Sequence, residues 1–336
     1  MLRALIVVSA GLLAVAFGGC GTGPSADPAA FTAPPAGPSR APAPVMRGAL
    51  ETLAEPQRTS LALHTVSGDV TFWTGVNLGS TTPGHSPGEL AIDRATYRRW
   101  FEQMGRLGVH VLRIYTIHPP RMYEELRSYN EAHPAAPIYL MQGVYLPDES
   151  YVQTGNLYAR GPTKAFSDEL RDASDAVHGR LQRRVRRGHA SGSWKADVSA
   201  WVAGWIVGVE WDPLAISASD RRNAAAPDFH GRFFSSVSDD TGTTPTERWI
   251  AARMDELATA EAAKGRSAPI AFVNWPTADP LHHPHEPLAR EDLVGVDANQ
   301  RCRVGGMARR DLRQLSRLPL LPPTSCATSP PIRSTG

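Results

Sequence analysis

The sharpest chemical signal in the chain is an acidic residue placed where an apolar run ends. Trp205-Ile206-Val207-Gly208-Val209 reads as a buried strand, and Glu210 follows it directly, with Trp211 and Asp212 next. Glutamates are seldom carried to the end of a core strand without a role, and one in this position can act as general acid to a leaving oxygen. The competing reading is a structural ion pair between Glu210 and Arg113. Other apolar runs end in similar residues: Asn77, Arg113 with Tyr115, Gln142 with Tyr145, Asn274 with Trp275, and Asp297 with Asn299. Each alone has an ordinary structural explanation. Together, carboxylates, amides and aromatic plates suit a carbohydrate, whose hydroxyls take planar bidentate partners and whose C–H faces stack on rings. The candidate catalytic residue is therefore Glu210, and the candidate substrate-binding residues are Asn77, Arg113, Tyr115, Gln142, Trp211, Asn274, Trp275 and Asp297.

Other chemistries fare worse. His282, His283, His285 and Glu286 resemble a metal cluster, but Pro280, Pro284 and Pro287 break any helical ligand spacing, and a polar loop is the better expectation. No metal is expected. No strand is followed by a glycine-rich phosphate loop, so no nucleotide cofactor is implied. A net charge of +2 points to no nucleic acid, and the basic run from Arg180 to Arg187 reads as a solvated helix face. The sequence does not fix an oligomeric state.

The elements that must position these residues alternate. Short apolar runs at Phe72 to Leu78, Val109 to Thr116, Ile138 to Leu146, Val202 to Trp211, Ile270 to Trp275 and Leu293 to Asp297 read as six strands, separated by segments of helical period. Tyr97, Trp100, Phe101, Met104 and Leu107 form one stripe, stopped by Gly108. A second helix follows Pro119-Pro120 and turns Met122, Tyr123 and Leu126 inward. A third is expected from about Thr163 to Arg187, marked by Phe166, Leu170, Val177, Leu181 and Val185. A fourth starts at a capping box, Thr244-Pro245-Thr246-Glu247, and ends at Gly265. Six βα units fit an open doubly wound sheet or a closed barrel. Without a dinucleotide fingerprint the expectation is an α/β fold of the (β/α)8 TIM-barrel type, incomplete, with about six units recognisable.

The amino terminus carries an export signal. Arg3 is followed by thirteen apolar or small residues, Leu5 to Phe17, then Gly18-Gly19-Cys20. That is too short for a membrane span, which takes about 20 residues, and small residues before a cysteine resemble a lipobox. Residues 1–20 are thus expected to be a lipoprotein signal peptide, with Cys20 lipidated and the protein exported and anchored to the outer face of the cytoplasmic membrane. Residues 21–45, rich in Pro, Ala and Gly, read as a disordered linker, residues 46–300 as a partial barrel domain, and residues 301–336 as an aberrant tail.

Several segments together carry a resemblance: GVNLG, PGEL, Arg-Ile-Tyr-Thr followed by His-Pro-Pro, Leu-Met-Gln-Gly-Val-Tyr, Gly-Val-Glu-Trp-Asp-Pro, Phe-Val-Asn-Trp-Pro-Thr-Ala-Asp-Pro-Leu and Val-Asp-Ala-Asn. From about Phe72 to Asn299 the chain resembles a family of bacterial and archaeal glycoside hydrolase-like barrel proteins, related to retaining hydrolases whose acid/base glutamate follows the fourth strand. The resemblance implies Glu210 as acid/base and Arg113 as a site residue. One departure is that the better-known barrels place Asn before that glutamate, where this chain has Val209.

The resemblance stops near Gln300. Residues 301–336 hold seven arginines, one acidic residue and no aromatic residue, where the family implies a Tyr-rich segment and a later strand bearing the nucleophile. Back-translation of Met307 to Pro322 in a shifted frame permits such a segment, so a frameshift near Gln300 is expected. The expected protein is lipid-anchored, glycoside hydrolase-like, directed at carbohydrate and inactive in this form for want of a second carboxyl. The alternatives are a non-catalytic carbohydrate-binding lipoprotein and a transglycosylase.

Overall fold

In the computed structural model the described residues run from 37 to 297, apart from 58–59, 87, 187, 209, 237–241, 283–284 and 286–291. All of them belong to the compact unit that begins at Pro35. Cys20, the tail from 301 and the expected frameshift lie outside the described residues.

The chain opens with short strands β1 (Val45–Arg47), β2 (Leu50–Thr52), β3 (Ala54–Pro56), β4 (Leu61–Thr65) and β5 (Gly68–Val70). There follow β6 (Gly75–Leu78), α1 (Arg94–Arg106), β7 (Val111–Ile114), α2 (Pro120–Ala132), β8 (Tyr139–Val144), α3 (Asp148–Thr154) and α4 (Arg160–Val177). A hairpin of β9 (Gln182–Arg183) and β10 (Gly192–Ser193) leads to β11 (Val202–Val207), α5 (Pro213–Arg222), α6 (Pro245–Ala262), β12 (Arg266–Ser267) and β13 (Ile270–Phe272). Five of these strands form a parallel sheet in the order β6-β7-β8-β11-β13. The molecule is thus a mixed α/β fold whose central strands follow chain order without reversal.

Alternation along the strands decides what each face buries. Leu112, Ile114, Leu140, Val144, Trp205, Val207 and Ile270 join the main core with the helices, including Tyr97 and Phe101 of α1, Tyr123 and Leu126 of α2 and Phe166 of α4. On the opposite face Val111, Tyr139 and Ala203, all near the beginnings of their strands, pack with Leu53, Ala54 and Leu63. The antiparallel sheet β3-β4-β5 therefore closes the amino-terminal end of that face. Strands before Phe72 are not legible in the sequence, because runs of three residues carry too little periodicity to register. The end of the expected linker also belongs to the fold: the Arg40 N–H donates to the Ala135 carbonyl at 2.7 Å, and Ala43 and Val66 bond across to His64 and Ala41.

Three local expectations change. The long third helix ends at Val177, not near Arg187; Gly179 has φ 66°, and the backbone of Lys195 to Asp197 lies where a Cβ would stand, at 2.9 Å. The chain instead turns into the β9–β10 hairpin, leaving Val185 91% exposed. Arg183, expected on a solvated helix face, is half-buried, with its guanidinium held by Glu169 and Asp172 at 2.6 Å each. The segment from Leu293 to Asp297 forms no strand, because the Val296 N–H is bonded at 2.9 Å to Ala278, in the 3-10 turn Pro276–Ala278, and not to the sheet.

The capping box of α6 forms as expected: Thr244 Oγ1 accepts from the Glu247 N–H at 3.2 Å, and Glu247 Oε2 accepts from the Thr244 N–H at 2.8 Å. Thr244→Ala removes one half of this exchange and is expected to cost about 1 kcal/mol, read as a lower urea midpoint with an unchanged slope; an unshifted midpoint would contradict the assignment. Among the described residues no helix is long and apolar enough to cross a membrane.

Candidate functional site

In parallel sheets of this kind the chain leaves each strand at one edge, and loops there can converge on a ligand. Gly208, with φ 106°, turns the chain as it leaves β11. The Trp211 ring folds beneath this turn, so close that a Cβ on Gly208 would stand 2.9 Å from it. The Trp211 indole N–H donates to the Val273 carbonyl at 2.8 Å. Tyr151 OH accepts from the Asp212 N–H at 2.9 Å, and Asp212 caps α5 by accepting from Ala215 at 2.8 Å. The turn carrying Glu210 is thus pinned on both sides, while Glu210 itself is exposed and forms no hydrogen bond or ion pair with any described residue.

The neighbouring strand supplies an aromatic surface. Val207 is in register with Phe272, and the pairing runs one step further, with the Val273 N–H donating to the Val207 carbonyl at 2.7 Å. Glu210 and Trp275 each come three residues after that registered pair, past the ends of the adjacent strands β11 and β13, and Trp275 is 38% exposed. Asn274 donates to the Val296 carbonyl at 2.9 Å and accepts from the Trp275 N–H at 3.0 Å. The Asp297 N–H donates at 2.6 Å to Glu247 Oε1, so one glutamate both caps α6 and holds the segment leading to Asp297. Asn274, Trp275 and Asp297 are thereby gathered at one end of the edge.

The remaining expected residues divide. Arg113 Nη1 donates to Asn77 Oδ1 at 3.3 Å, and no ion pair joins Arg113 to Glu210 among the described residues. Tyr115 OH lies 3.2 Å from Ser80 Oγ, and the Tyr115 ring meets Tyr145 edge-on at 6.3 Å between centroids. Gln142 does not reach the edge. It is fully buried on the helix-facing side, accepts from Tyr123 OH at 2.8 Å and donates to the Gly143 carbonyl at 2.7 Å. Trp211 is likewise fully buried, and its role in this arrangement is to hold the turn, not to offer a stacking face.

The edge also contains a cleft that strand reading could not locate. It has a volume of about 830 Å³ and lies beyond β6, β7 and β8, lined by Ser80, Glu89, Tyr115, Tyr145, Glu149, Arg183 and His189 among others. Glu89 accepts from His85 at 2.8 Å, and this bond holds its carboxyl below the usual range. Burial, then the charges of Arg186 and Arg183, push the His189 imidazole below its ordinary value. The signal missed was the β9–β10 hairpin, whose residues carry helical spacing in sequence and fold over the cleft in space.

Of the histidine cluster, His282 Nδ1 pairs with Asp292 at 2.7 Å, while His283 and Glu286 lie outside the described residues. Among the described residues no three His, Cys, Asp or Glu side chains converge as metal ligands. No protein-family model, curated protein or solved structure matches this chain.

Proposed function

We propose that the chain is a lipid-anchored, glycoside hydrolase-like protein of the (β/α)8-barrel class that engages carbohydrate at the carboxyl-terminal edge of its parallel strands. The observation that carries this reading is Glu210, an exposed carboxylate on a pinned turn just past the end of β11, with exposed Trp275 just past the end of the neighbouring strand β13. Parallel strands in chain order support the barrel, and exposed Trp275, Tyr115 and Asn77, with half-buried Arg113 bonded to Asn77, support a sugar ligand. In this reading Trp275 receives a pyranose face and Glu210 hydrogen-bonds the glycosidic oxygen. As acid/base, Glu210 would protonate that oxygen as the bond breaks and later take a proton from the incoming water. Turnover with retention also requires a second carboxyl about 5 to 5.5 Å away, which has no assigned side chain here. Val209 in the place of the expected Asn favours the second reading, capture of a sugar without hydrolysis.

Glu210→Gln preserves shape and removes the proton. In the full chain held in detergent, any turnover of aryl glycosides is expected to fall at least about 100-fold in this variant, with oligosaccharide affinity nearly kept. Sugar binding without turnover in the unsubstituted protein identifies a capture module. Absence of sugar binding in both proteins sinks the carbohydrate reading.

A further inference from the structure

We infer that the cleft beyond β6, β7 and β8 is a second saccharide subsite, built for an uncharged sugar, so that the ligand is a neutral oligosaccharide spanning this cleft and the Glu210–Trp275 ledge. The inference rests on the carbohydrate reading above and adds the size and charge of the ligand.

Size comes first. The cleft volume of about 830 Å³ falls in the range of about 300–1,000 Å³ typical of small-molecule sites, ample for more than a single sugar. Its position fixes the direction of the chain it holds. Tyr145 leaves β8, the strand beside β11, and Tyr115 leaves β7, one strand further. At a ladder spacing of about 4.8 Å the ends of β8 and β7, which these residues follow, stand roughly 5 and 10 Å along the edge from the end of β11, which Glu210 follows. A ligand resting on Trp275 and reaching Tyr115 must therefore be an oligomer.

Charge comes from the lining. Among the described residues Arg183 is the one arginine lining the cleft, and its guanidinium is already engaged by Glu169 and Asp172 at 2.6 Å each. Burial and the nearby arginines disfavour the charged form of His189. Glu89 and Glu149 both face the cleft, and Glu149 is exposed. Glu89 is paired with His85 at 2.8 Å, as Arg183 is with its carboxylates, so the charge left unpaired among the described lining residues is that of Glu149, and a uronate or phosphorylated sugar meets repulsion there that a neutral sugar does not. Tyr115 and Tyr145, set edge to face, supply the apolar wall against which sugar C–H groups pack.

The test uses the full chain in detergent and neutral di- and tetrasaccharides of β-linked glucose, mannose and N-acetylglucosamine, with an oligouronate of four units, all followed by calorimetry. The expected pattern is that Tyr115→Ala weakens the tetrasaccharide about tenfold and the disaccharide by a smaller factor, whereas Trp275→Ala weakens both by similar factors. Glu149→Gln is expected to admit the oligouronate, which the unsubstituted protein excludes. Both Tyr115 and Glu149 are exposed, and circular dichroism confirms that the variants fold. A tetrasaccharide indifferent to Tyr115→Ala, or an oligouronate bound as well as its neutral counterpart by the unsubstituted protein, overturns the subsite while leaving the ledge intact. Failure of every neutral sugar to bind overturns the carbohydrate reading and the subsite with it.

Discussion

Replacing Gly143 with alanine is expected to cost about 3 kcal/mol or more, a large share of the 5–15 kcal/mol typical of a folded domain. Gly143 lies on β8, at the centre of the parallel sheet. As β7 ends, its backbone crosses the face of β8 at this point. A Cβ on residue 143 would stand 2.3 Å from the Ile114 carbonyl oxygen, 2.4 Å from Tyr115 Cα and 2.5 Å from the Tyr115 carbonyl carbon. Ordinary carbon contacts are about 3.5–4.0 Å, so the main chain must move by roughly 1 Å or more. No flexible side chain is available to yield. The same displacement carries Tyr115 away from Tyr145, so the wall of the cleft opens along with the fold. Gly204 on the adjacent strand β11 supplies the control, since its added Cβ meets only the Pro269 carbonyl at 3.4 Å among close neighbours. Gly204→Ala is expected to cost less than about 1 kcal/mol. Urea titrations of both variants separate the two cases, and equal midpoints would refute the crossing geometry.

Arg183→Ala is expected to cost about 3–5 kcal/mol at neutral pH, and the loss should shrink as the pH falls. Arg183 is 11% exposed by side chain, and its Nη2 bonds Glu169 and Asp172 at 2.6 Å while Nε bonds Asp172 at 2.9 Å. Burial is the largest influence on the Glu169 carboxyl and raises it above the ordinary value of 4.5, while the charge of Arg183 pulls it back. A carboxyl raised on folding contributes stability that is fully present below its unfolded value and disappears as the pH rises through its folded value. Removing Arg183 leaves burial unopposed, lifts that folded value further and extends the unfavourable window upward. The variant should therefore regain stability relative to the parent as the pH drops from 7 toward 4.5. Glu169→Gln added to Arg183→Ala removes the stranded charge and is expected to recover much of the loss at pH 7. A deficit that is the same at every pH, and is not relieved by Glu169→Gln, would show that the arginine acts by packing alone.

The features legible in the sequence are those that depend on neighbours along the chain. Helical spacing places Tyr97, Phe101 and Met104 on the buried stripe of α1, and the pattern Thr-Pro-Thr-Glu begins α6 because both halves of that exchange lie within four residues. Five strand cores are recognisable because apolar runs sit between helical segments, although each strand is shorter than its apolar run. At the strand ends, residue type alone singles out Glu210 and Trp275 but does not separate them from Gln142 and Trp211. That division is tertiary. Gln142 lies on the side that meets Tyr123, and the Trp211 ring is drawn under Gly208 by the carbonyl of Val273, a residue from another strand.

The cleft is the clearest case of what only tertiary structure decided. Its lining comes from the segments after β6, β7 and β8 together with a hairpin whose sequence continues the period of α4. The hairpin forms because the chain turns at Gly179 and because Arg183 gains two carboxylate partners on α4 by folding back. Neither cause is visible in the local spacing of apolar residues. Sequence therefore determined which segments pair with themselves and which residue types stand at their ends. The packing of distant segments decided which of those side chains are spent inside the fold and which remain at the edge to meet a ligand.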